Sequence, residues 1–211
     1  MKKILLIGDS TRMGYDKYVK MAFDEAAEVY YPDDNCRFAG YVMRHTVDWK
    51  RNFCNNEDVD CVHWNAGLWD CLIFHDGEHV TPIDIYKYYF DRACREIKRL
   101  FPSAKVVFAT STPVVEERFI DCKRYNKDIE AYNSIAVEIA KGYGFEINDL
   151  YETIKGSPAE YYTDSTHLYT KEGTKLLTDK VVRTLENTLN IKGKELDYDK
   201  LFVEKKDVIG I

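Results

Sequence analysis

The sequence lacks long hydrophobic runs, basic tracts and paired cysteine spacings, and each absence excludes a class of protein. The N-terminal apolar run, Ile4-Leu5-Leu6-Ile7, is only four residues long and ends in Gly8-Asp9. It is too short for the h-region of an export signal, and nothing elsewhere approaches a membrane span. No Lys/Arg run exceeds a pair, and 36 acidic against 30 basic residues leave a formal charge of −6. A nucleic-acid face needs a basic patch, so neither nucleic acid nor a membrane is expected as a partner. The six cysteines (Cys36, Cys54, Cys61, Cys71, Cys94 and Cys122) form no C-x-x-C pair. They read as reduced thiols of a cytoplasmic protein rather than a disulfide framework. There is no G-x-x-x-x-G-K phosphate loop, which argues against a nucleotide binder, and no internal repeat or low-complexity tract.

What is present fits one domain of 211 residues, 45% hydrophobic and 31% charged, large enough for a proper core. Aromatics make up 14%, with sixteen tyrosines, a composition that leans towards a carbohydrate site without requiring one. Short apolar runs alternate with helical periodicity. Strands are expected at 4–7, 29–31, 59–64, 104–110 and 145–148. Helices are expected at 13–29, 41–51, 82–100 (opened by Pro82), 126–143 and 170–189, with 150–162 irregular. The pattern predicts an α/β protein: a three-layer α/β/α sandwich with a flavodoxin-like, mainly parallel five-stranded sheet. Residues 1–189 form this domain. Residues 190–211 are a charged extension ending in Val208-Ile209-Gly210-Ile211, expected to pack on the domain or on a partner, and homo-oligomer formation is compatible with it.

The first fifteen residues carry the chemistry. A buried strand that stops at Gly8-Asp9-Ser10 and turns into a helix puts Ser10 at the carboxyl end of the sheet, where open α/β folds place ligands. It also puts Ser10 near a helix N-terminus, whose free N–H groups favour developing negative charge. On the tripeptide alone, Ser10 as a plain helix N-cap is the better reading. The far end of the chain changes this. Asp164 and His167 are three apart in a loop, so the carboxylate could hold one imidazole nitrogen while the other faces Ser10, the arrangement serine hydrolysis requires.

Taken together, Gly8-Asp9-Ser10 and Asp164-x-x-His167, followed by Leu168 and Lys171-Glu172-Gly173, resemble the SGNH (GDSL-type) esterase/acylhydrolase family. Asn133 and the Ile147-Asn148-Asp149-Leu150 strand end are also similar, and the resemblance covers 2–189. It implies hydrolysis of a carbohydrate or small-molecule ester, most often acetyl or another short acyl, with Ser10, His167 and Asp164 catalytic and no metal or organic cofactor. A thioesterase or lysophospholipase on the same triad, or a non-catalytic carbohydrate-binding protein on the same fold, are the alternatives.

The family's oxyanion donors are less plain here. Its G-x-N-D block reads Gly67-Leu68-Trp69-Asp70, with Trp69 where Asn is usual, so Asn65 is the expected side-chain donor beside the Ser10 N–H. Asn65 closing a turn is the plainer alternative. The second block's backbone donor fits either Cys36 or Gly40. Arg12 is a weak candidate for binding a substrate anion, with a solvated or acid-paired role favoured over it. Trp69 and Trp64 could each wall a pocket or sit in the core. His75 and His79 have metal-ligand spacing, but Asp76-Gly77-Glu78 between them reads as a loop without a third ligand, and a metal site is not expected.

Overall fold

The apolar run after Met1 is the hub of the sheet. In a computed structural model, which describes residues 1–203, β1 (Lys2–Ile7) pairs in parallel with β2 (Ala27–Tyr30) on one side and β3 (Cys61–Trp64) on the other. β4 (Lys105–Ala109) and β5 (Glu146–Asn148) continue beyond β3, giving a five-stranded parallel sheet ordered β2-β1-β3-β4-β5.

Side chains of β1 alternate between two apolar clusters. Leu5 and Ile7 face α2 (Ala39–Phe53), α3 (Ile83–Leu100) and α4 (Asn126–Gly142), meeting Val42, Phe90 and Ala136. Ile4 and Leu6 face α1 (Ser10–Ala22), α5 (Leu150–Ile154) and α6 (Lys171–Leu189), meeting Val19, Ile154 and Val181. Burial on both faces is why β1 and β4 read as unbroken apolar runs rather than alternating ones. The three-layer sandwich expected from the sequence is the observed architecture.

From β1 the chain moves to β2 at one flank, then crosses to β3 at the other. The carboxyl ends of β1 and β3 therefore flank a topological switch point, where such sheets open a crevice. Ser10 follows β1 and Asn65 follows β3.

Two boundaries differ from the sequence reading. The helical stripe expected over 13–29 ends at Ala22, because Ala27–Tyr30 is drawn into register with Lys2–Leu5 of β1. Sheet pairing overrides the helix-forming composition of 24–28. The stretch 150–162 is not wholly irregular. Asp149 accepts the Glu152 N–H at 3.0 Å and caps the short α5, and a 3₁₀ turn follows at Ala159–Tyr161. Five residues are too few to show a periodicity.

The extension past α6 packs on its own domain as far as it is described. The Lys194 N–H donates to the Ala22 carbonyl at 2.8 Å, and α7 (Tyr198–Leu201) brings the Tyr198 ring to 5.5 Å from that of Tyr18. Its apolar end, 208–211, lies outside the described residues. Among the described residues no helix is long and apolar enough to cross a membrane.

Candidate active site

The turn after β1 fixes Ser10. The Asp9 side chain accepts the Thr11 N–H at 2.9 Å and caps α1, so Ser10 is the first residue of the helix and not its cap. First-turn N–H groups have no acceptor inside a helix and carry the positive end of its dipole. The approach is close: a Cβ on Gly8 would lie 1.9 Å from Asn65 Oδ1 and 2.7 Å from Arg12 Cβ. Only glycine fits between them.

Asp164 organises the opposite loop. Its Oδ1 accepts the N–H groups of Thr166 (2.6 Å) and His167 (2.8 Å), and its Oδ2 meets His167 Nδ1 at 2.6 Å. The Thr163 N–H donates to the His167 carbonyl at 2.8 Å and closes the turn. His167 Nε2 then stands 2.8 Å from Ser10 Oγ. With Nδ1–H donated to the carboxylate, Nε2 is the acceptor for the Ser10 hydroxyl. Partial burial pushes the Asp164 carboxyl up, but the bonds and charge of His167 and the two loop N–H groups outweigh it, holding the carboxyl below its ordinary value. The Tyr169 ring stacks on His167 with centroids 4.8 Å apart, and its hydroxyl donates to the Ser10 carbonyl. No sequence signal marks Tyr169, which lies two residues past His167.

On the other side of Ser10, the Cys36 N–H donates to the Gly8 carbonyl at 3.0 Å, so it is not available to an oxyanion; that reading of Cys36 is corrected. Gly40, at the second position of α2, is buried and its N–H has no acceptor among the described residues. Asn65 is 2% exposed, and its side-chain nitrogen makes no hydrogen bond among the described residues. The Asp70 carboxylate accepts the Ala39 N–H (3.1 Å to the nearer oxygen), tying the loop after β3 to the first turn of α2; burial pushes its carboxyl up to about 7. Gly67 has φ of 149° and faces Ser111 Oγ, which a Cβ would approach to 2.5 Å. Asn133 bonds both the N–H and the carbonyl of Ser111 at 2.9 Å, a structural clamp on the loop after β4.

Of the two tryptophans, Trp64 is core, stacked on Phe90 at 4.8 Å, whereas Trp69 lines the cleft. Arg12 is corrected as a substrate contact. It is fully buried, ion-paired to Asp16 at 2.5 Å, and donates to the carbonyls of Pro32 (2.8 Å) and Asp34 (2.6 Å). It clamps the 32–36 segment to α1. His75 and His79 part company across a turn: His79 lies 3.5 Å from Asp128, and His75 lies 3.7 Å from Cys122 Sγ.

Ser10, Asp164 and His167 open into a cavity of about 420 Å³ whose further wall includes Trp69, Arg118 and Arg124. Neither arginine was singled out from sequence, since no motif or periodic pattern marks 118–124.

No family model and no curated protein matches the chain by sequence. Solved structures do. The acetyl xylan esterase AlAXEase superposes with a TM-score of 0.69 at 18% identity, covering 87% of this chain and 99% of that one. The lipase/acylhydrolase from Enterococcus faecalis gives 0.67 at 20% identity, covering 93% and 100%. An acetylxylan esterase from Geobacillus stearothermophilus, Axe2, gives 0.61 at 14%, covering 86% and 93%. The chain has the fold of the GDSL-type (SGNH) esterases and acylhydrolases, as the sequence resemblance implied.

Proposed function

We propose that this protein is a serine ester hydrolase that removes a short acyl group, most often acetyl, from a carbohydrate or small metabolite. The observation that carries this is the continuous relay from Ser10 Oγ through His167 (2.8 Å) to Asp164 (2.6 Å) at the switch point of the sheet. The names of the neighbours, two acetyl xylan esterases among them, support the acyl preference. Six unbonded cysteines support a reducing, cytoplasmic setting.

In this reading His167 takes the Ser10 proton as Oγ attacks the acyl carbon. The tetrahedral oxyanion meets the N–H of Ser10, the N–H of Gly40 and the side chain of Asn65. His167 then protonates the departing alcohol, and water repeats the sequence on the acyl-enzyme. Asp164 holds the tautomer throughout and stabilises the imidazolium. No step calls on a metal or organic cofactor.

The test is hydrolysis of p-nitrophenyl esters from acetate to octanoate by the wild type and by Ser10→Ala. The expected result is activity greatest on acetate and lower by about 10⁴-fold or more in the variant. A maximum at long chains would replace this reading by the thioesterase or lysophospholipase one. Turnover that survives in Ser10→Ala would sink the nucleophile assignment.

A further inference from the structure

The cleft holds a cation that acyl transfer does not use. Arg124 is 7% exposed and lines the cavity with Ser10 and His167. Its Nε donates to the Leu68 carbonyl, and Nη1 reaches Thr166 Oγ1 at a long 3.5 Å. A guanidinium has five N–H donors, and the rest have no acceptor among the described residues. Asp9 and Asp164 are electrostatic neighbours, yet neither carboxylate comes within ion-pair reach. A buried charge without its counter-charge is costly unless something else supplies one. Here that something has an open cavity to arrive through.

The position of Arg124 says which part of an ester would bring the charge. His167 must protonate the leaving oxygen, so the alcohol portion departs on the imidazole's side. Thr166, which Arg124 touches, adjoins His167, and 164–167 form that wall of the cavity. Arg118 stands at the rim, donating to the Asp164 carbonyl at 3.2 Å. Asp121 and Asp164 also border the cavity, so two cations face two carboxylates. The two acids offset the two arginines and leave no excess positive charge for a dianion, so the open donors of Arg124 match a single negative charge better.

We propose that Arg124, with Arg118 at the rim, binds a carboxylate on the alcohol portion of the ester, so that the substrates are acylated hydroxy acids or acidic sugars. This rests on the ester-hydrolase reading for its chemistry, but the anion site can be tested without turnover.

Two measurements decide it. The first compares kcat/KM for 3-acetoxybenzoate and its methyl ester in the wild type and in Arg124→Gln. The expected preference for the acid is roughly tenfold or more, and it disappears in the variant. A purely structural role for Arg124 would lower both esters alike and leave the ratio unmoved, which would overturn the proposal. The second is calorimetric binding of 3-hydroxybenzoate, methyl 3-hydroxybenzoate and phenyl phosphate to Ser10→Ala and to Ser10→Ala/Arg124→Gln. Here 3-hydroxybenzoate should bind tightest, and only when Arg124 is present. If the methyl ester or the phosphate binds as well or better, the carboxylate site is wrong. If no ester is turned over, the hydrolase reading fails, and the binding order still decides the anion site. Should Arg124→Gln not fold, the order of the three ligands on Ser10→Ala decides it alone.

Discussion

Arg12 and Arg124 are both buried, one behind the Ser10 turn and the other in the wall of the cleft, and the surroundings of their charges differ. Arg12 has a carboxylate partner and backbone carbonyls from Gly8, Pro32 and Asp34. Arg124 has one carbonyl and a distant hydroxyl. The same contrast runs through the two walls they belong to. Around Arg12 the carbonyls of Gly8, Pro32 and Asp34 and the Cys36 N–H all find partners between the β1–α1 turn and the 32–36 segment, whereas around Arg124 the loop at 116–124 borders an open cavity. A saturated wall supports the fold. An unsaturated one is where a ligand can bind.

On the cleft side Asp164 is the exception, bonded by two loop N–H groups and by the ring that faces Ser10, so its change should have the largest effect. Asp164→Asn can still accept loop N–H groups but cannot hold His167 as a carboxylate does, and the tautomer presented to Ser10 is no longer fixed. Turnover of p-nitrophenyl acetate should fall by about 10³–10⁴-fold, with little movement in the urea midpoint because Asp164 is half-exposed. A loss below tenfold would take Asp164 out of the relay. The opposite wall should respond in the opposite way. Arg12→Met removes the charged partner of Asp16 and the donor to three carbonyls, and destabilisation of about 3–5 kcal/mol is expected from chemical denaturation. A change under about 1 kcal/mol would mean that the saturated wall does not depend on its ion pair.

The saturated wall was also the more legible one. Ile4-Leu5-Leu6-Ile7 followed by Gly8-Asp9-Ser10 announces a strand, a close turn and a helix start through local chemistry alone. Asp164 and His167 were legible because their spacing lets one carboxylate bond a ring and two N–H groups within a single turn. Arg124 was not, because the role proposed for it comes from what is missing around it: nothing in the local sequence shows that a guanidinium will be buried without a carboxylate. The reading of Cys36 went wrong for a related reason. Its backbone N–H is claimed by the Gly8 carbonyl, a contact between segments 28 residues apart that no local pattern encodes. The early end of α1 has the same origin in the register of β2 against β1.

Asn65 crosses the division between the walls and gives the smallest but most discriminating effect. By burial it belongs with Arg12, since it is 2% exposed and pressed against Gly8. By its unpaired side-chain nitrogen it belongs with Arg124. If the amide donates to the oxyanion, Asn65→Ala should lower kcat by about 10²–10³-fold, the usual loss for one such donor, with KM little changed because the bond strengthens only in the transition state. Asn65→Asp keeps the volume but replaces the donor by an acceptor, and should be at least as slow. The check is steady-state kinetics of both variants on p-nitrophenyl acetate, beside their urea midpoints. Loss of stability with kcat intact would return Asn65 to the saturated wall as a turn residue, and would leave the oxyanion to the N–H groups of Ser10 and Gly40. Loss of kcat in both variants, at wild-type stability in either, would assign its buried amide to the chemistry.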